Sequence, residues 1–297
     1  MGDASARRTA VGIACSVGAY ALWGVFPIYF KLVAAVPALE VLAHRVIWTV
    51  VLVGFLIALG RSWRTVATIM AQPRRLLTLA ASASIISLNW GVFIWAVGDG
   101  RILECSLGYY INPLVSVVLG VAVLGERLQP IQWVAVALAA VGVAIEVVSL
   151  GTLPWIALTL AVSFALYGLI RKTAPIDPVS GLFIETLLLS PLALTYLGVL
   201  MLNQQASILS GNWQLDGLLL LAGPITALPL LLFVAGAQRI RLATVGLLQY
   251  IAPTGHFLLA ILMYREPLAP AHLATFVCIW LALAIYSLSI LRGQRPR

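Results

Sequence analysis

Charge is the scarcest property of this sequence. Ten acidic and 18 basic residues are 9% of its 297 positions, where an ordinary soluble domain has about a quarter. So few charges exclude a water-soluble fold of this size. Cysteine is scarce as well. Cys15, Cys105 and Cys278 stand far apart in apolar surroundings, with no CxxC-type spacing. They read as small core residues, and neither a disulfide framework nor a thiolate metal site is expected. Three histidines spread along the chain make a histidine metal centre equally unexpected. The sequence lacks GxSxG, HExxH and Walker motifs, so no enzyme, no cofactor and no self-contained ATP-driven pump is expected. The net charge of +8 does not imply nucleic acid, because the basic residues sit in short loops between apolar segments.

Apolar sequence fills the space that charge leaves. Hydrophobic residues are 62% of the chain and mean hydropathy is +1.05. A helix crosses a bilayer with roughly 20 residues, and nearly every apolar run reaches that length. The alternating segments of about 10 residues that mark a β-barrel do not occur. The expected fold class is an all-α polytopic membrane protein. Ten transmembrane helices are predicted, near 11–30, 38–59, 75–97, 103–124, 130–149, 153–171, 178–200, 214–236, 243–263 and 271–291. The first run follows Arg7 and Arg8 as a signal peptide would, but it extends to Phe30, too long for a typical h-region, so a retained helix is expected.

Basic residues orient the chain. With a cytoplasmic N-terminus, 14 Lys and Arg residues fall inside, including Arg7, Arg8, Arg61, Arg64, Arg171, Lys172, Arg239 and Arg241. Three fall outside (Lys31, Arg101 and Arg265), and Arg45 lies within a span. The positive-inside rule then puts both termini in the cytoplasm.

One stretch occurs twice. Tyr110, Ile111, Pro113, Glu126, Leu128 and Pro130 recur as Tyr250, Ile251, Pro253, Glu266, Leu268 and Pro270, at a constant separation of 140 residues. A shorter match joins Ala19–Gly24 to Ser163–Gly168. The unit is half the chain: residues 1–150 and 151–297 form two five-helix repeats within one membrane domain. Five is odd, so the second repeat enters the membrane from the opposite face. Two inverted five-helix repeats signal a transporter with its site between the halves.

Pro113 and Pro253 are candidate hinges. Each denies a hydrogen bond to the carbonyl four residues earlier, those of Tyr109 and Gln249. Each lies about 10 residues into its span, or about 15 Å deep. Polar and aromatic residues collect at that depth: Asn89, Trp90, Tyr109, Tyr110, Asn112, Gln249, Tyr250, Thr254 and His256, with Trp23 and Tyr167 on the matching first helices. Such residues bind a solute through apolar area and hydrogen bonds without buried charge, although any one of them could instead be packing. Intramembrane charge is costly and points to function. Glu40, His44, Arg45, Glu104 and Glu185 form a candidate charge or coupling network, in which Glu40 or Glu104 could neutralise Arg45. Inversion keeps Glu185 in the inner half, away from His44. Glu185 and His256 are candidate protonation sites, whereas Glu146 and His272 near helix ends read as structural.

Several segments resemble a known family: Glu40 with His44-Arg45 and Trp48, Asn89-Trp90 to Trp95-Ala96-Val97, Ser106 to Leu114, Glu126-Arg127-Leu128 with Gln132-Trp133, Ala227 to Leu230, and Gln249 to Thr254. Together they resemble the EamA family of the drug/metabolite transporter superfamily, and within it the RarD-type permeases. The resemblance spans the whole chain. It implies an inner-membrane secondary transporter that exports or exchanges a small polar or amphipathic solute, such as an amino acid, a metabolite or a drug like chloramphenicol, by alternating access. Its partners would be that solute and membrane lipids, with no nucleic acid, and a monomer is expected with a dimer as the alternative. A carrier of phosphorylated or lipid-linked metabolites is the second reading. A non-transporting scaffold or an intramembrane enzyme is the reading from another class.

Overall fold

The structure, a computed structural model, describes residues 2–98, 102–150, 155–263 and 270–293. Every regular element among them is an α-helix: α1 Gly2–Gly24, α2 Phe26–Leu32, α3 Ala38–Leu59, α4 Trp63–Met70, α5 Pro73–Gly98, α6 Ile102–Ala122, α7 Pro130–Leu150, α8 Trp155–Thr173, α9 Pro178–Leu202, α10 Trp213–Ala237, α11 Leu242–Leu248, α12 Ile251–Leu262 and α13 Pro270–Gly293. Among the described residues, seven segments are long and apolar enough to cross a membrane: Ala6–Leu32, Ala38–Leu59, Pro73–Ala96, Pro130–Ser149, Trp155–Thr173, Pro178–Leu202 and Trp213–Ala237. Shorter apolar stretches, Leu107–Ala122 and Leu273–Ser289, lie within α6 and α13. The predicted ninth span is divided into α11 and α12.

Local chemistry sets the helix starts. Proline opens α5, α7, α9 and α13, where its missing N–H would have had no intrahelical partner. Asp177 caps α9 by accepting from the Ser180 N–H at 2.8 Å. Asn212 caps α10 through the Leu215 N–H at 3.2 Å.

Proline also explains the interruptions. Pro27 cannot donate to the Trp23 carbonyl, and α1 gives way to α2 at Val25; the Trp23 carbonyl is instead 3.0 Å from His256 Nε2. Pro253 frees the Gln249 carbonyl, which accepts from the Ala252 N–H at 3.0 Å. That tighter turn separates α11 from α12. Pro113 sits inside an uninterrupted α6. The short α4 lies between the predicted spans 38–59 and 75–97, where the sequence pattern predicts no helix. Its Val66 and Ile69, three residues apart, are both buried, which is the helical period that marks it.

α6 packs along α8 and α11, α7 along α13, α3 along α9 and α10, and α1 along α10 and α12. Outward faces stay apolar, as lipid requires: on α9, Leu188, Leu192 and Val199 are exposed while Ile184, Ala193 and Leu197 are buried. The bundle has two distinct ends. At one, Arg8 donates to the Gln238 carbonyl and Arg241 to the Arg127 carbonyl. At the other, Tyr29 donates to the Leu218 carbonyl and Glu40 accepts from the Ser207 N–H and hydroxyl.

Candidate functional site

Among α1, α2, α3, α5, α6, α8, α10 and α12 lies a cavity of about 180 Å³. Its walls are aromatic: Tyr20 and Trp23 from α1, Phe26 and Phe30 from α2, Trp90 and Phe93 from α5, Tyr109 from α6, and Phe164 from α8. The rings brace one another. Trp23 meets Tyr20, Phe164 and Phe233 at centroid separations of 5.6, 5.6 and 5.8 Å. Tyr109 meets Phe93 and His256 edge-on, each at 6.2 Å. Such tilted and edge-on pairs fix ring positions.

Polar groups in the lining are held by α8. Asn89 Nδ2 donates to the Leu160 carbonyl at 2.9 Å and to the Ser163 hydroxyl at 2.8 Å. Asn112 Nδ2 donates to the Ala161 carbonyl at 2.6 Å. These bonds tie α5 and α6 to α8, and one end of each amide is spent on that role. Asn112 Oδ1 is buried and has no hydrogen-bond partner among the described residues. The Tyr20 hydroxyl is likewise buried and unpartnered there. Arg45 enters from α3, with Nε donating to Thr226 Oγ1 at 2.9 Å and Cζ 5.0 Å from the Trp90 ring centroid.

On one side of the cavity α6 and the turn that follows it close on α11. Gly125, at φ 63°, takes the left-handed conformation that ends α6. The Glu126 N–H returns to the Gly120 carbonyl at 2.9 Å, which folds the turn back on the last turn of the helix. The turn aims the Glu126 carboxylate at the start of α11, where it accepts from the Leu242 and Ala243 N–H groups at 2.6 and 3.0 Å. Lys172 Nζ stands 4.0 Å from Glu126 and donates to the Ala237 carbonyl at 2.9 Å and to that of Ile240. One turn deeper, α11 touches α6 through Gly246. A Cβ there would come within 2.7 Å of Ser116 Cβ and 2.8 Å of the Pro113 carbonyl oxygen, so only glycine permits the approach.

A buried ion pair lies at the same end. Arg171 Nε is 3.6 Å from Glu185 Oε1, and both side chains are enclosed. Glu185 also accepts from the Ser82 hydroxyl, and from Tyr167 at 3.4 Å. The sequence reading placed Arg171 among the loop cations. It is instead fully buried in the last turn of α8, with Glu185 on α9 as its counter-charge.

The cavity thus gathers Trp23, Asn89, Trp90, Tyr109, Asn112, Gln249 and His256 from the sequence-predicted set, together with Arg45. Tyr110, Tyr250, Thr254 and Tyr167 stand outside its lining. Successive helical positions point about 100° apart, so with Tyr109 facing the cavity Tyr110 turns toward Phe276 on α13, at 5.8 Å. The Tyr250 hydroxyl donates to the Tyr110 carbonyl at 3.1 Å. Thr254 accepts from Trp280 at 3.1 Å, and Tyr167 stacks on Phe233 at 6.0 Å. Glu40 does not neutralise Arg45, since its oxygens are taken by Ser207, with His44 3.9 Å away. The side chains of Glu104, Glu146 and His272 lie outside the described residues, as do Arg101, Arg265 and Glu266. Sequence reasoning missed Tyr20, Phe26, Phe30, Phe93 and Phe164. The three- and four-residue steps of Trp23, Phe26 and Phe30 were a usable signal of one helical face.

Comparison with known proteins gives one answer. Residues 10–148 match the EamA-like transporter family. The chain is 47% identical to an uncharacterized transporter of Vibrio cholerae serotype O1, over 95% of this chain and 93% of that one. It is 44% identical to protein RarD of Escherichia coli (strain K12), over 98% of each chain. It is 34% identical to the chloramphenicol-sensitive protein RarD of Pseudomonas aeruginosa, over 98% of this chain and 99% of the relative. One crystal structure shares the fold at a TM-score of 0.69 and 22% identity, covering 95% of this chain and 98% of its own. Aromatic cavity, helical membrane fold and full-length RarD relatives agree: the chain is a multi-pass membrane transporter of small solutes and belongs to the EamA-like transporter family, among its RarD-like members.

Proposed function

We propose that the protein is a secondary transporter of the inner membrane that exports or exchanges a small organic solute by alternating access. Ten spans form two inverted five-span repeats, 1–150 and 151–297, with both termini cytoplasmic. The observation that carries this reading is an asymmetry along one helix pair. Among the described residues, α6 lies along α11 over the Glu126 end but makes few contacts with α12 toward the other end. The halves are thus clamped on one side of the cavity and splayed on the other, as one half-cycle of alternating access requires.

Pairing of helices supports the two-repeat reading. Exchanging the repeats turns the α1–α10 contact into α8–α5, α3–α10 into α9–α5, and α6–α8 into α12–α1, and each partner contact exists. Glu126, Lys172 and Gly246 form the closed gate on the cytoplasmic side. The solute occupies the aromatic cavity, and the freed Gln249 carbonyl marks the joint at which the ninth span bends.

The test is uptake into proteoliposomes of amino acids, organic acids and chloramphenicol, with and without a proton gradient. Saturable flux of at least one solute, abolished by Trp90→Ala and retained by Trp133→Phe on the exposed face of α7, supports the reading. Flux indifferent to every cavity substitution contradicts it.

A further inference from the structure

We propose that the cavity takes an organic monoanion: one acidic group held by Arg45, an apolar or aromatic body between the rings, and a hydrogen-bond donor at its far side. This rests on the cavity being the solute site, as proposed above, and adds the chemical class.

Arg45 is the only formally charged side chain lining the cavity among the described residues. Its Nε is used on Thr226, and its terminal nitrogens make no hydrogen bond to any described residue. Cation–π contact supplies partial compensation, with Cζ 5.0 Å from the Trp90 ring centroid and 5.9 Å from that of Phe30. No carboxylate among the described residues completes it. Glu40 is committed to Ser207, and Asp216 accepts from the Leu209 N–H at 2.8 Å. An arginine kept in a low-dielectric bundle without a counter-ion is costly. A ligand carboxylate removes that cost and matches the free edge of the guanidinium with two parallel hydrogen bonds.

The remaining lining defines the rest of the ligand. Trp23, Phe30, Trp90 and Phe93 surround an apolar body. Asn112 Oδ1, only an acceptor, has no donor among the described residues, and the Gln249 side chain lines the same cavity. A hydroxyl or amide N–H on the ligand satisfies Asn112. One guanidinium balances one negative charge, so a phosphate dianion is poorly matched. A volume of about 180 Å³ equals about 12–18 water-sized sites at 10–15 Å³ each, enough for a single-ring acid.

The experiment uses sets that differ only in the charged group: 4-hydroxyphenylacetate, 4-hydroxyphenylacetamide and tyramine, and likewise phenylacetate, phenylacetamide and phenethylamine. On a cysteine-free background, Phe93→Cys reports occupancy as protection from a small thiol reagent. The acids should protect at concentrations at least tenfold below those of their amides and amines, and Arg45→Gln should erase the difference. The comparison on native Arg45 needs no Arg45 variant, so a misfolded Arg45→Gln does not blunt it. Equal or stronger protection by an amide or amine overturns the anion class and leaves the cavity as the solute site. A reactive thiol that no compound in either set protects overturns both readings.

Discussion

Removing the charge of Glu126 should open the clamped end of the bundle. Its carboxylate accepts two backbone N–H bonds at 2.6 and 3.0 Å from the start of α11, and its side chain is 8% exposed. Glu126→Gln keeps one acceptor oxygen and turns an amide donor toward the other N–H. Losing one charge-assisted bond costs about 1.5–3 kcal/mol. If the contact exists only in the clamped state, the full cost falls on that state. The opening equilibrium then rises roughly ten- to hundredfold, at 1.4 kcal/mol per factor of ten. The reporter is Ser116→Cys on a cysteine-free background, since Ser116 is 4% exposed and faces Gly246. Its modification by an impermeant thiol reagent from the Glu126 side should accelerate by about that factor in Glu126→Gln. An unchanged rate in a well-folded variant would refute the clamp.

Three further outcomes follow from the same contacts. Arg171→Met or Glu185→Leu alone should lower stability by about 3–5 kcal/mol in thermal unfolding of purified protein, and the double variant should recover much of that loss; strictly additive losses would deny the pair. Tyr250→Phe should cost about 0.5–1.5 kcal/mol, and Tyr250→Ala about 3–5 kcal/mol because the ring is fully buried; a Tyr250→Ala protein with native melting and no transport would put Tyr250 back in the solute site. Gly246→Leu should hold the Glu126 end open, seen as faster labelling of Tyr109→Cys from that side, and slower labelling would refute the close approach as its cause.

The helices were legible in sequence because lipid imposes a length and helix-start prolines and loop cations mark the ends. Which face of each helix meets the cavity was less legible. In water, polarity separates outside from inside; in a membrane, Tyr109 beside the cavity and Tyr110 beside α13 are chemically alike, and hydropathy carries no phase. Asn89 and Asn112 stood out because an amide in lipid needs a partner, and both found one on α8. Arg171 was hidden for another reason: next to Lys172 it resembled a loop cation, and its partner Glu185 is 14 residues away in sequence. Pro27 carried a readable signal, since a proline within the first span implies a free carbonyl at Trp23, the group that His256 meets.

Alternating access requires a single cavity reached in turn from two sides. The most direct measurement places one cysteine at Tyr109, on the cavity wall, in oriented vesicles, and applies an impermeant thiol reagent to one face at a time. With the native Glu126 clamp, reagent on the face opposite Glu126 should react readily and reagent on the Glu126 face slowly, and Glu126→Gln should raise the second rate while lowering the first. A thiol reached from one face only, at rates Glu126→Gln leaves unchanged, would contradict alternating access.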